Sequence, residues 1–278
     1  MSNTMKSQYI DLFQEADKLL TQKITDDKPV VAAWGLMNAG KSYLLNMLTN
    51  QLETEFFRTA DQRETAELKR FETDRFTFLD TPGLDANAAD DKVANQGAAK
   101  ADVVLFVHQP QGELEKNELD FLRDLKTSFS KYAAQNIIIV LSKSDKENSD
   151  KISLIEQKIG EQCQSQLGFV PRIFQISGTR YKTGVTENKD GLKKASHIPE
   201  LERHLNAIDF TQISAMKHER QVQALNAILA KLAKAEKQVS KTKAETQQLL
   251  VNGFSSFNNT MNSLNNTIAS HVSQFNSI

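Results

Sequence analysis

The alternation of short apolar runs with helical segments is the feature that most restricts the fold of this chain. Near-continuous β-branched runs separated by helices are typical of a parallel sheet covered on both faces. We therefore predict a doubly wound, mostly parallel α/β domain, with one further, partly exposed strand over Glu67–Phe71. The runs are Val30–Trp34, Phe76–Leu79, Val103–Val107, Ile137–Leu141 and Ile173–Ile176, and the helical segments between them lie at 41–50, 88–99, 113–133 and 148–167.

A helix is predicted on each side of this α/β region. Apolar residues recur at three- and four-residue steps over Tyr9–Ile24, which indicates an amphipathic helix. The same spacing runs from Val222 to Phe275 and predicts a long helical stalk with one apolar seam. The resulting domains are an N-terminal helix at 1–27 that packs with the stalk, a central domain at 28–210 and the stalk at 211–278.

The last part of the stalk carries no charged side chain. From Thr246 to Ile278 asparagine and serine fill the positions around the apolar seam, which favours a bundle face over a membrane helix. Two interpretations stay open. Either the segments at 9–24, 211–245 and 246–278 form a three-helix stalk, or the chain is truncated at Ile278.

Charge and cysteine content exclude several classes of protein. The 278 residues include 34 Lys and Arg against 35 Asp and Glu, so no overall charge attracts nucleic acid or anionic lipid. Cys163 is the single cysteine, which excludes an internal disulfide. No window reaches the roughly 18 apolar residues of a membrane span. We expect a cytoplasmic protein, free or peripheral at a membrane, that binds no nucleic acid.

A phosphate-binding loop follows the first apolar run. The pattern G-x-x-x-x-G-K-S lies between a predicted strand and a predicted helix, and its glycines let backbone N–H groups face a phosphate at the positive end of that helix. Lys41 would reach the β- and γ-phosphates, and the Ser42 hydroxyl would bind Mg²⁺. The nucleotide-binding residues predicted here are Gly35, Asn38, Ala39, Gly40, Lys41, Ser42 and Tyr43.

A second motif, D-x-x-G, follows the second apolar run. Asp80 is suited to hold Mg²⁺ through water, and the backbone N–H of Gly83 can donate to a γ-phosphate. The polar stretch 58–67 contains two threonines that could place a hydroxyl on Mg²⁺ when the γ-phosphate is present. We prefer Thr65 because it directly precedes the predicted strand, and Thr59 is the alternative.

Base recognition is predicted after the fourth apolar run, in Ser142-Lys143-Ser144-Asp145. The Asp145 carboxylate can accept hydrogen bonds from N1–H and the 2-amino group of guanine, which adenine lacks, so a wrong base leaves polar groups unpaired. The Lys143 stem can lie along the base. After the last run, the backbone N–H groups of Ser177 and Gly178 can donate to the guanine carbonyl oxygen.

Together these motifs resemble the G domain of the translation-factor-related P-loop GTPases, over about residues 28–210. The resemblance implies a six-stranded doubly wound sheet, bound Mg²⁺ with GTP or GDP, and GTP hydrolysis. One residue departs from the family pattern: Ser142 stands where the family usually has Asn or Thr, which bears on guanine selectivity. The flanking helices, with the runs Gly35–Asn46 and Asp80–Ala86, resemble the bacterial dynamin-like proteins linked with enterotoxin output, and imply a membrane or vesicle role.

The catalytic mechanism cannot be that of the small signalling GTPases, which use a glutamine after D-x-x-G to orient water. Here that residue is Leu84. In relatives with Asn in the phosphate loop, this Asn helps bind a potassium ion while two G domains pair across the nucleotide, and Asn38 occupies that position. We expect cation-assisted hydrolysis in a homodimer or with a related GTPase. The alternatives are a loop-stabilising role for Asn38 and arginine fingers from Arg58 or Arg63.

Two other functions stay open at this stage. Leu84 and Ser142 leave room for a nucleotide-binding scaffold or switch with negligible turnover. An Era-like, ribosome-associated GTPase would need an appended RNA-binding module. The leading hypothesis is a GTP-hydrolysing enzyme with Asn38, Lys41, Thr65 and Gly83 as catalytic residues and Ser42, Thr65 and Asp80 as metal ligands.

Overall fold

A six-stranded sheet carries the α/β region of the protein. The computed structural model describes residues 3–21, 28–57, 69–81 and 101–276. The strands are β1 (Val30–Trp34), β2 (Lys69–Glu72), β3 (Thr77–Asp80), β4 (Val103–His108), β5 (Ile137–Leu141) and β6 (Arg172–Gln175). Their order is β2-β3-β1-β4-β5-β6, with β2 antiparallel to β3 and every other neighbouring pair parallel. The predicted doubly wound sheet, including the extra edge strand, is confirmed.

Helices cover both faces of the sheet. Where a helix was predicted its ends differ by up to six residues, and the three helices between 178 and 206 were not predicted. The predicted helix at 88–99 lies outside the described residues. The helices are α1 (Asn3–Thr21), α2 (Lys41–Leu48), α3 (Lys116–Phe129), α4 (Ala133–Asn136), α5 (Ser149–Gln162), α6 (Gly178–Thr186), α7 (Asp190–Lys194), α8 (Ile198–Asn206) and α9 (Phe210–Asn276).

The two faces of the sheet bury separate apolar clusters, because side chains alternate along each strand. In β5, Ile137, Ile139 and Leu141 join the cluster with Trp34 and α3, whereas Ile138 and Val140 join the cluster with α2 and α8. Every residue of β4 and β5 is buried. Full burial on both faces is why these strands are nearly continuous apolar runs rather than alternating ones.

The first turns of α9 pack against the amino-terminal edge of the sheet. Met216 is fully buried in the core, and Lys217 Nζ lies 3.1 Å from the buried Asp102 Oδ2. The same carboxylate oxygen accepts a hydrogen bond from the backbone N–H of Val30 at 2.9 Å. These contacts attach the beginning of α9 to the starts of β1 and β4.

Contacts divide the chain into two compact units, Ile24–Arg220 and Met1–Lys23 with Gln221–Ile278. In the second unit, Gln221 Nε2 donates a hydrogen bond to Leu19 O and Ile228 is buried. Residues 211–245 and 246–276 belong to one uninterrupted helix, so the three-helix interpretation of the stalk is wrong. No proline interrupts the helix near Thr246, and it continues through Gly253. The domain boundaries at 28 and 210 stay a prediction.

The seam of the second unit remains largely exposed after Thr246. Phe254 is 68% exposed and Phe275 80% exposed. Within the described residues, no helix is both long enough and apolar enough to cross a membrane.

Candidate functional site

The phosphate loop leaves β1 through a position that accepts only glycine. Gly35 has φ of 145°, and a Cβ on it would lie 2.0 Å from the carbonyl oxygen of Val107 at the end of β4. Gly40 has φ of 100°, a left-handed conformation that residues with a Cβ rarely adopt. Helix α2 begins at the next residue, Lys41. The two glycines therefore allow a tight loop that ends on a helix amino terminus, as an anion site requires.

Lys41 and Ser42 lie in the first turn of α2. The ammonium of Lys41 donates to Gly35 O at 3.1 Å and to Leu36 O at 2.9 Å, so the side chain lies folded over the loop. Ser42 Oγ donates to Asp80 Oδ2 at 2.7 Å. The structure thus joins the phosphate loop to the D-x-x-G motif at two of the three predicted metal ligands.

The surroundings of Asp80 fit a divalent cation. Its Oδ1 is buried and has no hydrogen-bond partner among the described residues, a costly arrangement that a cation would relieve. Burial raises the pKa of this carboxyl, while the Ser42 hydroxyl and the Lys41 charge oppose the rise. Mg²⁺ commonly takes one or two protein oxygens and fills its remaining positions with phosphate and water. The Ser42 hydroxyl and the Asp80 carboxylate supply such a donor set.

The base-reading loop is tied directly to the phosphate loop through Ser142. Its buried hydroxyl donates to Ala39 O at 2.7 Å and lies 3.2 Å from His108 O. Ser142 thus bridges the ends of β4 and β5 to the phosphate loop although it is shorter than Asn.

Asp145 is oriented by the last loop of the sheet. Ser177 Oγ donates to Asp145 Oδ1 at 2.6 Å and accepts from the backbone N–H of Arg180 at 3.1 Å as the N-cap of α6. The carboxylate that would read guanine therefore has one oxygen engaged by a residue that is itself held by a helix.

Tyr43 connects the phosphate loop helix to the same base loop. Its hydroxyl donates to Gly178 O at 3.3 Å, and a Cβ on Gly178 would lie 2.3 Å from the Tyr43 ring. Burial, with the charges of Glu55 and Asp145, raises the pKa of Tyr43. Glycine at 178 lets the loop backbone lie directly on the ring.

Asn38 adopts a left-handed backbone conformation with φ of 59°. Its carbonyl oxygen accepts two hydrogen bonds, from Lys143 Nζ at 2.9 Å and from Gln109 Nε2 at 2.8 Å. Lys143 is also left-handed, with φ of 54°. Among the predicted site residues, the structure thus brings Asn38 and Lys143 into direct contact. Gln109 is an addition that the sequence analysis missed.

Asn46 is a second residue that the sequence analysis missed. It lies on α2, one turn after Ser42, and is buried. Its side-chain amide donates to Phe57 O at 2.7 Å and accepts from Phe57 N at 2.9 Å. This pair of bonds fixes the chain immediately before the polar stretch 58–67. The predicted residues Arg58, Thr59, Arg63, Thr65, Gly83 and Leu84 lie outside the described residues.

A buried ion pair supports the end of β4 beside the site. His108 Nδ1 lies 2.8 Å from Glu118 Oε1, and Nε2 lies 3.2 Å from Gly112 O. Glu118 Oε2 accepts from the backbone N–H of Glu115 at 2.8 Å, where α3 begins. Burial by itself lowers the pKa of His108, but the hydrogen bond and charge of Glu118 outweigh it, so the pKa is raised. The sequence shows two residues ten positions apart and no sign of this pair.

The sheet order, the glycine-constrained loop and the Ser42–Asp80 contact define a P-loop GTPase domain. In agreement, residues 30–143 match the family of 50S ribosome-binding GTPases. Over this stretch the chain is similar to that family.

A longer relative and two solved structures are similar over more of the chain. An uncharacterised protein of Acinetobacter baylyi is 32% identical over 235 residues, which are 81% of this chain and 54% of that protein. An oligomerised bacterial dynamin pair is similar over 96% of this chain and 54% of its own, with 16% identity and a TM-score of 0.53. LeoA, a bacterial dynamin GTPase from ETEC, is similar over 84% of this chain and 42% of its own, with 14% identity and a TM-score of 0.50.

These likenesses have definite limits. At such identities the two dynamin structures show a shared fold alone. The chain also spans only about half the length of the Acinetobacter relative, 54%.

The pair of His108 with Glu118 predicts that Glu118→Gln lowers the free energy of unfolding by an amount that depends on pH. Because the pKa of His108 is higher in the folded chain than in the unfolded chain, the pair stabilises fully below about pH 6.5 and loses this contribution as the pH rises through the raised pKa. We expect the variant to lose about 3 kcal/mol of unfolding free energy at low pH and clearly less near pH 9. Urea unfolding followed by the fluorescence of Trp34, the single tryptophan, measures this.

Glu113→Gln is the matched control, because Glu113 is exposed in the loop before α3 and pairs with Lys158 at the surface. It should change the free energy of unfolding by less than about 0.5 kcal/mol at every pH. A cost of Glu118→Gln that does not vary with pH would contradict the assignment of the charge to His108.

Proposed function

We propose that this protein binds and hydrolyses GTP with Mg²⁺, and that hydrolysis requires pairing of two G domains. The observation that carries the proposal is the Ser42–Asp80 hydrogen bond beside the buried Asp80 Oδ1, which has no hydrogen-bond partner within the described part of the chain. It joins a phosphate loop to an acidic cation ligand at the point where a β,γ-phosphate pair would lie. Bound Mg²⁺ would neutralise charge that develops on the phosphates.

The chain's own residues then have separate tasks. Lys41 binds the β- and γ-phosphates, and backbone N–H groups of residues 35–43 orient them at the start of α2. Ser42 and Asp80 hold the cation. Asp145 binds the guanine edge while Lys143 lies along the base. Thr65, with Thr59 as the alternative, and the N–H of Gly83 complete the γ-phosphate site in the triphosphate state.

Catalysis is proposed to use a monovalent cation at Asn38. Leu84 has no group that orients water, so stabilisation of the developing charge must come from elsewhere. The backbone of Asn38 is held by Lys143 and Gln109, which leaves its side-chain amide oxygen as a ligand for K⁺ in the proposed dimer. The partner is a second copy or a related GTPase, and the oligomerised bacterial dynamin pair of similar fold supports this choice.

The helical unit is proposed to transmit the nucleotide state to a peripheral membrane contact. The stalk comprises residues 1–27 and 211–278, which precede and follow a G domain at 28–210 in the sequence. Support comes from the similar dynamin pair, which is described as sensing and tethering membranes. A second candidate is ribosome association, which the description of the matching family favours. A nucleotide-holding scaffold with negligible turnover is the remaining alternative.

Replacement of Asp145 tests base recognition. Asp145→Asn should lower affinity for guanosine nucleotides at least about a hundredfold and shift preference to xanthosine nucleotides, because the amide presents a donor where guanine also has donors. Titration with fluorescent GDP and XDP measures both affinities. Asp124→Asn, an exposed aspartate on α3, is the control and should bind GDP as the wild type does. Unchanged GDP affinity in Asp145→Asn would contradict the assigned base site.

Turnover tests the mechanism. GTP hydrolysis, and not ATP hydrolysis, should rise per molecule over about a hundredfold range of protein concentration, since pairing is driven by mass action. It should be roughly tenfold or more faster in potassium than in sodium, and Asn38→Ala should abolish this difference. Equal turnover in both salts, independent of concentration, would overturn the cation and dimer proposals. Tight nucleotide binding with negligible turnover would favour the scaffold.

A further inference from the structure

Gln109 is bound to the phosphate loop although it belongs to none of the nucleotide motifs. It follows the last residue of β4, and its Nε2 donates to Asn38 O at 2.8 Å. We propose that Gln109 is a positioning residue of the nucleotide site, which holds the loop in its left-handed turn at Asn38. The inference rests on the proposed function, because it assigns a role within the same nucleotide site.

The turn at Asn38 is held from outside the loop as well as within it, where the backbone N–H of Ala39 donates to Leu36 O at 3.2 Å. A left-handed backbone is disfavoured for any residue with a Cβ, although Asn tolerates it better than most. The orientation of the Asn38 carbonyl depends on this conformation, and two side-chain donors meet its oxygen, Gln109 Nε2 and Lys143 Nζ. Two hydrogen bonds to one carbonyl oxygen fix the direction of the peptide group between Asn38 and Ala39. They thereby also restrict the direction of the Asn38 side chain.

Gln109 can serve as this support because its own backbone is held. The preceding carbonyl, His108 O, accepts from Ser142 N at 2.9 Å and the His108 ring is fixed by Glu118 and Gly112. The following residues form a tight turn in which Gln111 N donates to Gln109 O at 2.7 Å. The glutamine amide therefore reaches the loop from a rigid strand end, where a donor acts with little loss of side-chain freedom.

The two donors differ in chemistry. Lys143 contributes a charged group on a long stem and belongs to the base-reading loop, whereas Gln109 contributes a neutral amide from β4. Because β4 pairs directly with β1, from Val31 opposite Val103 to Trp34 opposite Phe106, Gln109 keeps the loop in place relative to the sheet itself. Nucleotide affinity should therefore depend on Gln109 through the conformation of Asn38.

A double-mutant cycle on GDP affinity tests this role. The probe is fluorescent GDP with Mg²⁺, titrated into wild type, Gln109→Met, Asn38→Gly and the double variant. Methionine keeps the length of the side chain but has no donor. Gln109→Met should raise the Kd for GDP about three- to tenfold, the range expected for one lost hydrogen bond. In the Asn38→Gly background the same change should raise it less than about twofold, because glycine adopts the left-handed turn without support.

Two controls separate positioning from general stability. Gln157→Met changes an exposed glutamine on α5 and should leave the Kd as in wild type. Thermal unfolding followed by Trp34 fluorescence should give Gln109→Met the melting temperature of the wild type within a few degrees.

Two kinds of result would contradict the role of Gln109. A wild-type Kd in Gln109→Met, or an equal loss in both Asn38 backgrounds, overturns the inference and leaves the proposed function standing. Failure of the wild type to bind GDP overturns the proposed function and the inference with it.

Discussion

The close approach of Gly35 to the carbonyl oxygen of Val107 is the constraint on which the rest of the site depends. Parallel pairing of β1 with β4 brings these two strand ends together, and a Cβ at residue 35 would lie 2.0 Å from that oxygen. Without a side chain there, the chain can cross the end of β4 and turn back into α2. The amino terminus of α2 then faces the loop, and Lys41 and Ser42 enter the site from its first turn.

Hydrogen bonds between loops convert this crossing into a single site. Ser142 connects the base loop to Ala39, Tyr43 connects α2 to Gly178, and Ser177 connects the last loop to Asp145. All of these loops follow the carboxyl ends of strands, where open α/β sheets bind their ligands. The candidate site is therefore a property of the strand order as much as of the individual motifs.

The apolar runs and the motifs with fixed residue spacing could be predicted from the sequence. Contacts between residues that are distant in the sequence could not. The buried strands were predictable because full burial on both faces demands continuous apolar runs, and the phosphate loop because its glycines and Lys41 have fixed spacing. The ends of two strands differ from the prediction. β3 and β6 each begin and end one residue away from the predicted run, because hydrogen bonding to the neighbouring strand decides where a strand stops.

Three other features could not be predicted from the sequence. The contact of Gln109 with Asn38 and the pair of His108 with Glu118 exist only because separate strand and helix ends meet. The apolar spacing from Val222 to Phe275 by itself fits one straight helix and a helix that turns back equally well. The structure has the single helix α9.

The central claim is that these loops form a guanine nucleotide site. Isothermal titration of the full chain with GDP and with ADP, each in Mg²⁺, tests it most directly. The account predicts that GDP binds at about one site per chain and that ADP gives no detectable heat, because Asp145 discriminates between the two bases. Equal binding of both nucleotides, or no binding of GDP, would contradict it.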